Sequence, residues 1–412
     1  MVIRQLTRTI STKTTATSTS TSTSTSTISR IAQQPSFAKN QLIPLQSNQL
    51  STELNSIINS FKPPIRYALA YGSAVFPQNS YQKQQQQPML DFIFAVTHPS
   101  HWHSINLHHH PHHYSLPARL LGSPAISWLQ ERGPGAGVWF NVETKIHNRM
   151  IKYGVVSIDS LCDDLLDWNS LYLSGRMHKP THILRDDGRV RLAQQVNLSS
   201  ALRTALLLLP ERFEEEGLYR TIAGLSYTGD VRMRWAENPA KVANIVGRQL
   251  ELFRILYRPL LNALNAHLHP VSQDPMSDSL RVFHQDPSPA ARAQLLLKLP
   301  LGLKDRIRAT YDQRWNLDRA FANHHQHHPD SLISPTTSSS SDELEIWTRI
   351  AADQKLRQVI QSALIQIVAK PSLYQSAKGI LSAGPIKSLR YATNKEMQVE
   401  GPVPILCHHC TL

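Results

Sequence analysis

The sequence predicts an α+β protein, a first half built on a small sheet with covering helices and a second half that is mainly helical. Three observations predict it. Two apolar runs stand close together, YALAYGS from Tyr67 and MLDFIFAV from Met89, each with the length and composition of a buried strand. Two more strand-like runs follow, GVWFN from Gly137 and KYGVVS from Lys152, the second weakened by its glycine. From about residue 235 onward apolar residues recur at helical spacing.

In chain order, the N-terminal stretch comes first. The first acidic residue is Glu53, and before it stand Arg4, Arg8, Lys13, Arg30 and Lys39 among many Ser and Thr. A basic, hydroxyl-rich, acid-free composition is that of a mitochondrial transit peptide. Residues 1–49 are therefore read as a presequence and disordered Ser/Thr-rich leader. Ordered protein is expected from about Leu50. After the four strands, Ser157 reads as the cap of a helix over 158–173, with Asp159 in its first turn. Further helices are expected over 197–209, stopped by Pro210, over 239–257, opened by Pro239, and over 344–368. The chain thus divides into the leader, a first domain over 50–234, a helical domain over 235–376 with a low-complexity loop at 323–342, and a basic amphipathic tail over 377–412. Tracts dominated by one residue type, at 82–87, 108–113, 324–328 and 335–341, read as loop insertions outside the core. The His tracts lack discriminating metal-ligand spacing.

The 412 residues, 41% hydrophobic, suffice for two or more cores. The three cysteines, Cys162, Cys407 and Cys410, argue against a disulfide framework and for a reducing interior or organelle matrix. Cys407-His-His-Cys410 crowds its potential ligands together without a second half-site, which disfavours structural zinc. The net charge of +13 suits anionic partners. No apolar run approaches the ~20 residues of a membrane span, so any membrane contact is expected to be peripheral. No arginine-rich arm with interleaved aromatics and no RNP-like string points to nucleic acid.

The chemistry is carried by a few strings. A strand ending in Gly72-Ser73 beside a strand bearing Asp91 suits a nucleotidyltransferase. The glycine lets a triphosphate approach the backbone, the serine offers N–H and hydroxyl, and the carboxylate can hold Mg2+. A tight turn between core strands is the alternative, set against the cost of burying an unpaired Asp in so apolar a run. In GRMHKP from Gly175, Arg176 and Lys179 can clamp phosphates, or complement a helix end. In GLSYTGDVRM from Gly224, Asp230 sits among small residues and Arg232 has the spacing of the same strand face; an Asx turn is the alternative. Lys241 stands on the first turn of a helix whose N–H groups can receive an anion, unless Asn238 merely caps it. In 377–395, Lys378, Lys387, Arg390 and Lys395 alternate with Ile380, Leu381, Ile386, Leu389 and Tyr391, a pattern for anionic membrane surfaces or for an ordinary docked helix.

Together these strings resemble one family. YGSAVFPQ from Tyr71, MLDFIFAV from Met89, HWHSINL from His101, HHYS from His112, GAGVWFN from Gly135, KYGVVS from Lys152, LYLSGRMHKP from Leu171, AGLSYTGDVRM from Ala223, ENPAKVANIV from Glu237 and AKGILSAGPIKSLRYATNK from Ala377 occur in order over most of the chain after the leader. They resemble the mitochondrial translocator assembly and maintenance proteins, which are mitochondrial phosphatidate cytidylyltransferases (CDP-diacylglycerol synthases). The resemblance implies a polymerase-β-like nucleotidyltransferase domain followed by a winged-helix-like helical region. It implies Mg2+ as cofactor, CTP and bilayer phosphatidic acid as substrates, a role in cardiolipin and phosphatidylglycerol synthesis, and peripheral association with the matrix face of the inner membrane. By resemblance Gly72 and Ser73 contact the triphosphate, Asp91 ligates metal, and Asp230 is a second candidate carboxylate. Arg176, Lys179, Arg232 and Lys241, on the residue reading above, are the further candidate nucleotide-binding residues. Where the wider superfamily carries Asp-x-Asp or Asp-x-Glu, this chain has Ile93, so the second ligand must come from elsewhere. Two competing expectations are a non-catalytic inner-membrane adaptor and a nucleotidyltransferase acting on RNA.

Overall fold

The computed structural model describes residues 37–76, 88–235, 240–265, 267–271, 281–315 and 340–383. The motif-bearing runs form antiparallel strands β1 (Tyr67–Tyr71) and β2 (Leu90–Val96). Strands β3 (Val138–Ile146) and β4 (Arg149–Ser157) make a hairpin whose turn residues, His147 and Asn148, both have positive φ, as a two-residue turn matched to strand twist requires. With β5 (His182–Arg185) they form a mixed sheet in the order β3-β4-β2-β1-β5. β4 runs parallel to β2, and the crossover this demands carries helices α2 (Pro99–His109) and α3 (Leu116–Glu131).

Alternation along β2 sorts its side chains. Phe92, Phe94 and Val96 enter a core with Phe61, Trp102 and Tyr153. Ile93 and Ala95 enter a second core with Leu161, Leu165, Met177 and Val190, which stand on α4 (Ile158–Asp167), α5 (Ser174–Met177) and α6 (Gly188–Leu208). Asp91 has the parity of Ile93 and so faces that second layer. The glycine that weakens β4 as a sequence signal has a packing reason: a Cβ on Gly154 would lie 2.6 Å from the Phe140 ring and 3.0 Å from Ile93.

Several expected boundaries move. The helix expected over 158–173 ends at Asp167, where Trp168 takes a left-handed φ of 55°. The helix expected over 344–368 is two, α12 (Ser340–Ala351) and α13 (Leu356–Ala383), because the Asp353 side chain accepts from Lys355 N and starts a new helix. Arg232 lies not on a strand but at the start of a short helix, α8 (Arg232–Trp235). The helix expected over 239–257 is α9 (Lys241–Asn262), and the remaining helices in the numbering are α1 (Asn48–Asn59), α7 (Glu215–Gly224), α10 (Pro289–Leu297) and α11 (Leu301–Trp315). A small antiparallel sheet was not legible: β6 (Arg212–Glu214), β7 (Leu268–Pro270) and β8 (Val282–Gln285), in the order β6-β8-β7. Residues just before Leu50 are packed as well: Ile43 is buried, Asn40 Nδ2 donates to Leu256 O at 2.7 Å, and His182 Nδ1 bonds Ile43 O at 3.0 Å. The His tract at 108–113 is not wholly a solvated insertion, since His113 is buried and bonds the Tyr153 hydroxyl at 2.9 Å. The tracts at 82–87 and 324–328 lie outside the described residues, as do 1–36 and 384–412. One buried cluster runs from Leu54 and Phe92 to Leu256, Leu303 and Leu364, so one face of the main sheet and the helical half share a core.

Gly154→Ala is expected to lower unfolding free energy by about 1–3 kcal/mol, read from urea denaturation; an unchanged midpoint would show that the Phe140 ring yields without cost.

Candidate active site

The site begins where β1 ends. In the strand register Asp91 lies opposite Tyr71 on one side and Lys152 on the other. After Tyr71 the chain turns sharply: Gly72 has a φ of 89°, and its carbonyl accepts from Val75 N at 3.1 Å and Phe76 N at 2.9 Å. A side chain there would be strained and also blocked, because a Cβ would stand 3.2 Å from Asp91 Oδ2. Glycine thus lets the turn carrying Ser73 close onto the carboxylate. Asp91 is partly exposed, its side chain 27% accessible, and pairs loosely with Lys152 at 3.6 Å.

Cations ring this turn. Arg176, on α5, donates from Nη1 to Tyr172 O at 2.8 Å and from Nε to the Tyr71 hydroxyl at 3.4 Å. Its guanidinium lies over the Tyr172 ring at 4.0 Å, a stacked arrangement that suits arginine and not lysine. Lys152 lies over the Phe140 ring at 5.0 Å, and Arg232 approaches the Tyr172 ring from another side at 5.9 Å. Lys179 and Lys241 flank one ring, Tyr227, at 4.9 and 5.2 Å. Lys179 also donates to Gly175 O and to Ser226 Oγ. Burial, then the nearby charges of Arg176 and Lys241, push the Lys179 ammonium down to about 7. Burial raises the Tyr172 phenol, but Arg176, Arg232 and Lys152 together pull it below its ordinary value. Positive potential therefore dominates the site.

The Asp230 carboxylate is paired with a cation from its own turn. Gly229, at a φ of 82° and with Ile365 of α13 within 2.9 Å of where its Cβ would stand, turns the chain so that Arg232 folds back on Asp230. The fork is bidentate, with Nε to Oδ1 at 3.0 Å and Nη2 to Oδ2 at 2.6 Å. Burial opposes the charge, but Arg232, helped by Ser372, holds the carboxyl below the usual range. Among the described residues neither Asp91 nor Asp230 belongs to a cluster of three potential metal ligands; the cluster found is His110, His112 and His113. Mg2+ keeps several waters and binds through one or two carboxylates plus substrate phosphates. The half-open Asp91 fits that demand, whereas the oxygens of Asp230 are already engaged.

Lys152, Phe140, Tyr172 and Tyr227 were missed as site residues because their roles depend on register and packing. So was Asp164, which holds the loop between α4 and α5. Its Oδ1 accepts from Ser170 N, Ser170 Oγ and Leu171 N, and its Oδ2 from Leu173 N, Ser174 N and Ser174 Oγ, all within 3.1 Å. From α6, Asn197 clamps the same segment through Trp168 Nε1, His178 Nε2 and Ser174 O. Lys378, expected to bind a membrane surface, is only 8% exposed and lies under Gly135. Lys387, Arg390 and Lys395 lie outside the described residues. Cys162 is a buried free thiol.

Among the described residues, a glycine turn against an accessible carboxylate, with arginines and lysines stacked on aromatics nearby, forms a strongly positive candidate site on an α+β scaffold. A family profile described as phosphatidate cytidylyltransferase, mitochondrial, matches residues 54–398. Relatives carrying that name are similar along nearly their whole length. The Danio rerio protein is 40% identical over 342 residues, covering 82% of this chain and 92% of the relative. The Schizosaccharomyces pombe protein is 38% identical over 358 residues, covering 84% and 83%. The Drosophila melanogaster protein is 38% identical over 347 residues, covering 80% and 93%. The chain belongs to the mitochondrial phosphatidate cytidylyltransferase family.

Asp164→Asn turns an acceptor into a donor facing donors. It is expected to cost about 3 kcal/mol of stability and to loosen the loop bearing Arg176, read as a lower denaturation midpoint with weaker CTP binding.

Proposed function

We propose that this protein transfers the cytidylyl group of CTP to phosphatidic acid, giving CDP-diacylglycerol and pyrophosphate for cardiolipin and phosphatidylglycerol synthesis. The observation that carries this reading is the family match across 54–398, to which the cation ring around Gly72 and Asp91 gives a place. A phosphate oxygen of the lipid attacks the α-phosphorus of CTP; the bond to the bridging oxygen breaks and pyrophosphate leaves. A phosphate monoester has its second pKa near ~6, so the nucleophile is largely anionic at neutral pH and needs no strong base. The barrier is the meeting of two polyanions, and positioned positive charge is the remedy.

In this scheme the Gly72-Ser73 turn receives the triphosphate backbone to backbone, and Arg176 and Lys179 hold its oxygens. Lys152 and Arg232 offset charge as it develops, and Lys241 adds to the potential from α9. Asp91 would hold Mg2+, which would supply Lewis-acid charge neutralisation when bound. Asp230 acts through Arg232, fixing the direction of its fork. The helical half, with its small three-stranded sheet, is read as winged-helix-like and the sheet half as polymerase-β-like. Among the described residues no helix is long and apolar enough to cross a membrane. Peripheral attachment at the matrix side of the inner membrane fits the lipid substrate and the presequence-like leader.

The direct test uses purified protein, labelled CTP, Mg2+ and phosphatidic acid vesicles, scoring lipid-soluble label. Asp91→Asn is expected to lower turnover by roughly three orders of magnitude with the fold intact. Wild-type turnover in that variant removes the assigned role, and label appearing in RNA but not lipid removes the reaction.

Lys179 yields a pH dependence. An anion beside it favours its charged form, so CTP binding takes up a proton above the free-state value of about 7. Affinity is expected to fall by up to about tenfold per pH unit as pH rises from 7.5 to 8.5, measured by titration calorimetry. Lys179→Met should flatten that slope; a slope retained in the variant assigns the proton to another group.

A further inference from the structure

The histidines that follow α2 have no ligand spacing in the sequence, yet the fold gives them one. Helix α2 stops at His109, where His110 N still donates to Asn106 O at 2.8 Å. Pro111 then opens a single 3-10 turn over Pro111–His113, closed by His113 N donating to His110 O at 3.0 Å. In such a turn side chains three positions apart eclipse each other. His110 and His113 therefore stack, their rings 9° from parallel and their centroids 4.7 Å apart. His112 stands edge-on to both, at 5.9 and 4.6 Å. One ring nitrogen from each of the three lies within 4.8 Å of the others.

Two of the rings are already oriented as metal-binding imidazoles are, by a bond to the nitrogen that does not ligate. His113 Nδ1 bonds the Tyr153 hydroxyl at 2.9 Å. A hydroxyl accepts twice and donates once. Asn106 Nδ2 donates to this one at 2.9 Å, and Asn141 also bonds it. Its own proton can therefore go to Asn141, so that His113 donates from Nδ1 and keeps a lone pair on Nε2. The His110 ring bonds the Ser60 backbone, while its Nε2 is buried with no hydrogen-bond partner among the described residues. Burial pushes His110 below its ordinary pKa against that bond, and His112, His109 and Lys62 push the same way. The ring is thus kept neutral, the form that ligates. His112 is exposed, so its ring can turn. Tetrahedral Zn2+ holds its nitrogens about 3.4 Å apart, and a shift of roughly one ångström closes the present spacing to that value.

We propose that His110, His112 and His113 form a binding site for a transition-metal dication of the zinc class, with three imidazole ligands and a fourth position open to solvent. Imidazole nitrogen suits Zn2+, Cu2+ or Ni2+, whereas Mg2+ takes oxygen ligands. The site is separate from the Mg2+ read at Asp91. Tyr153 enters the core that holds Phe92 and Phe94, on the opposite face of the sheet from Asp91. The inference goes beyond cytidylyl transfer and does not depend on it. A metal here ties three pieces of chain together: the turn between α2 and α3, the segment after α1 through Ser60, and β4 through Tyr153.

The test titrates the chelator-stripped full chain with Zn2+ against a chromophoric chelator and follows the melting temperature alongside. The wild type is expected to bind Zn2+ and to melt higher as the ion is added. His112 is exposed, so His112→Ala should melt as the wild type does without metal. It should bind the ion of this site at least about tenfold more weakly, the scale on which even an outer-shell partner counts, and should lose the metal-induced rise. A control combining His108→Ala and His109→Ala alters neighbouring exposed histidines outside the cluster and should keep wild-type binding. Three results overturn the site: no metal-induced rise in the wild type, a full rise in His112→Ala, or an equal loss in the control, which would assign the binding to the histidine tract at large.

Discussion

Six hydrogen bonds converge on the carboxylate of Asp164, and the positions of Arg176 and Lys179 descend from them. The loop they gather contains Trp168 and Leu171 at positive φ, conformations that side chains other than glycine adopt only when surrounding contacts over-determine them. A buried carboxylate saturated by backbone N–H and serine hydroxyls supplies that determination. The loop delivers Gly175 against Ser226, so close that a Cβ would stand 2.2 Å from the serine Cβ. That contact sets Arg176 over Tyr172 and Lys179 beside Tyr227. Neither cation has an acidic partner among the described residues; both rest on aromatic faces and neutral oxygens. Such partners orient positive charge without cancelling it, which a polyanion site requires.

The legible part of the site was the part encoded locally. Gly72, Ser73 and Asp91 could be found because two adjacent strands of opposite direction bring a strand end against a strand start, and only composition is needed to recognise the strands. Arg176 and Lys179 share one short string. Lys152 lay in a recognised strand, but its place opposite Asp91 depends on the parallel β2–β4 register, which crosses two helices of intervening chain. Asp164 sat inside what reads as a continuous amphipathic helix, and nothing in its neighbours announces that the helix stops at Asp167. Phe140 and Gly154 are complementary only across the β3–β4 hairpin. The general α+β division was readable because strand-like runs end before the long helical periods begin; the three-stranded sheet was not, because its strands are short and widely separated in sequence.

Asp230 shows how a turn decides what a side chain meets. The residue was singled out for its small neighbours, and those neighbours matter, since Gly229 is what admits the turn against Ile365. A strand reading would have pointed Arg232 and Asp230 to the same face as independent groups. The turn instead folds one onto the other, and two residues become a single oriented guanidinium. Beside the Gly72 turn, Asp91 meets Lys152 and Tyr71 meets Arg176, so fixed cations of the chain dominate the local charge.

Helix α13 carries two unlike faces. Gln375 on one fixes it to the start of β3, while the opposite face carries Leu373, Tyr374 and Ile380. The phase of the helix explains why Lys378 turns inward although the residues on either side of it in the sequence read as surface: positions 372, 375, 378 and 382 share the buried stripe.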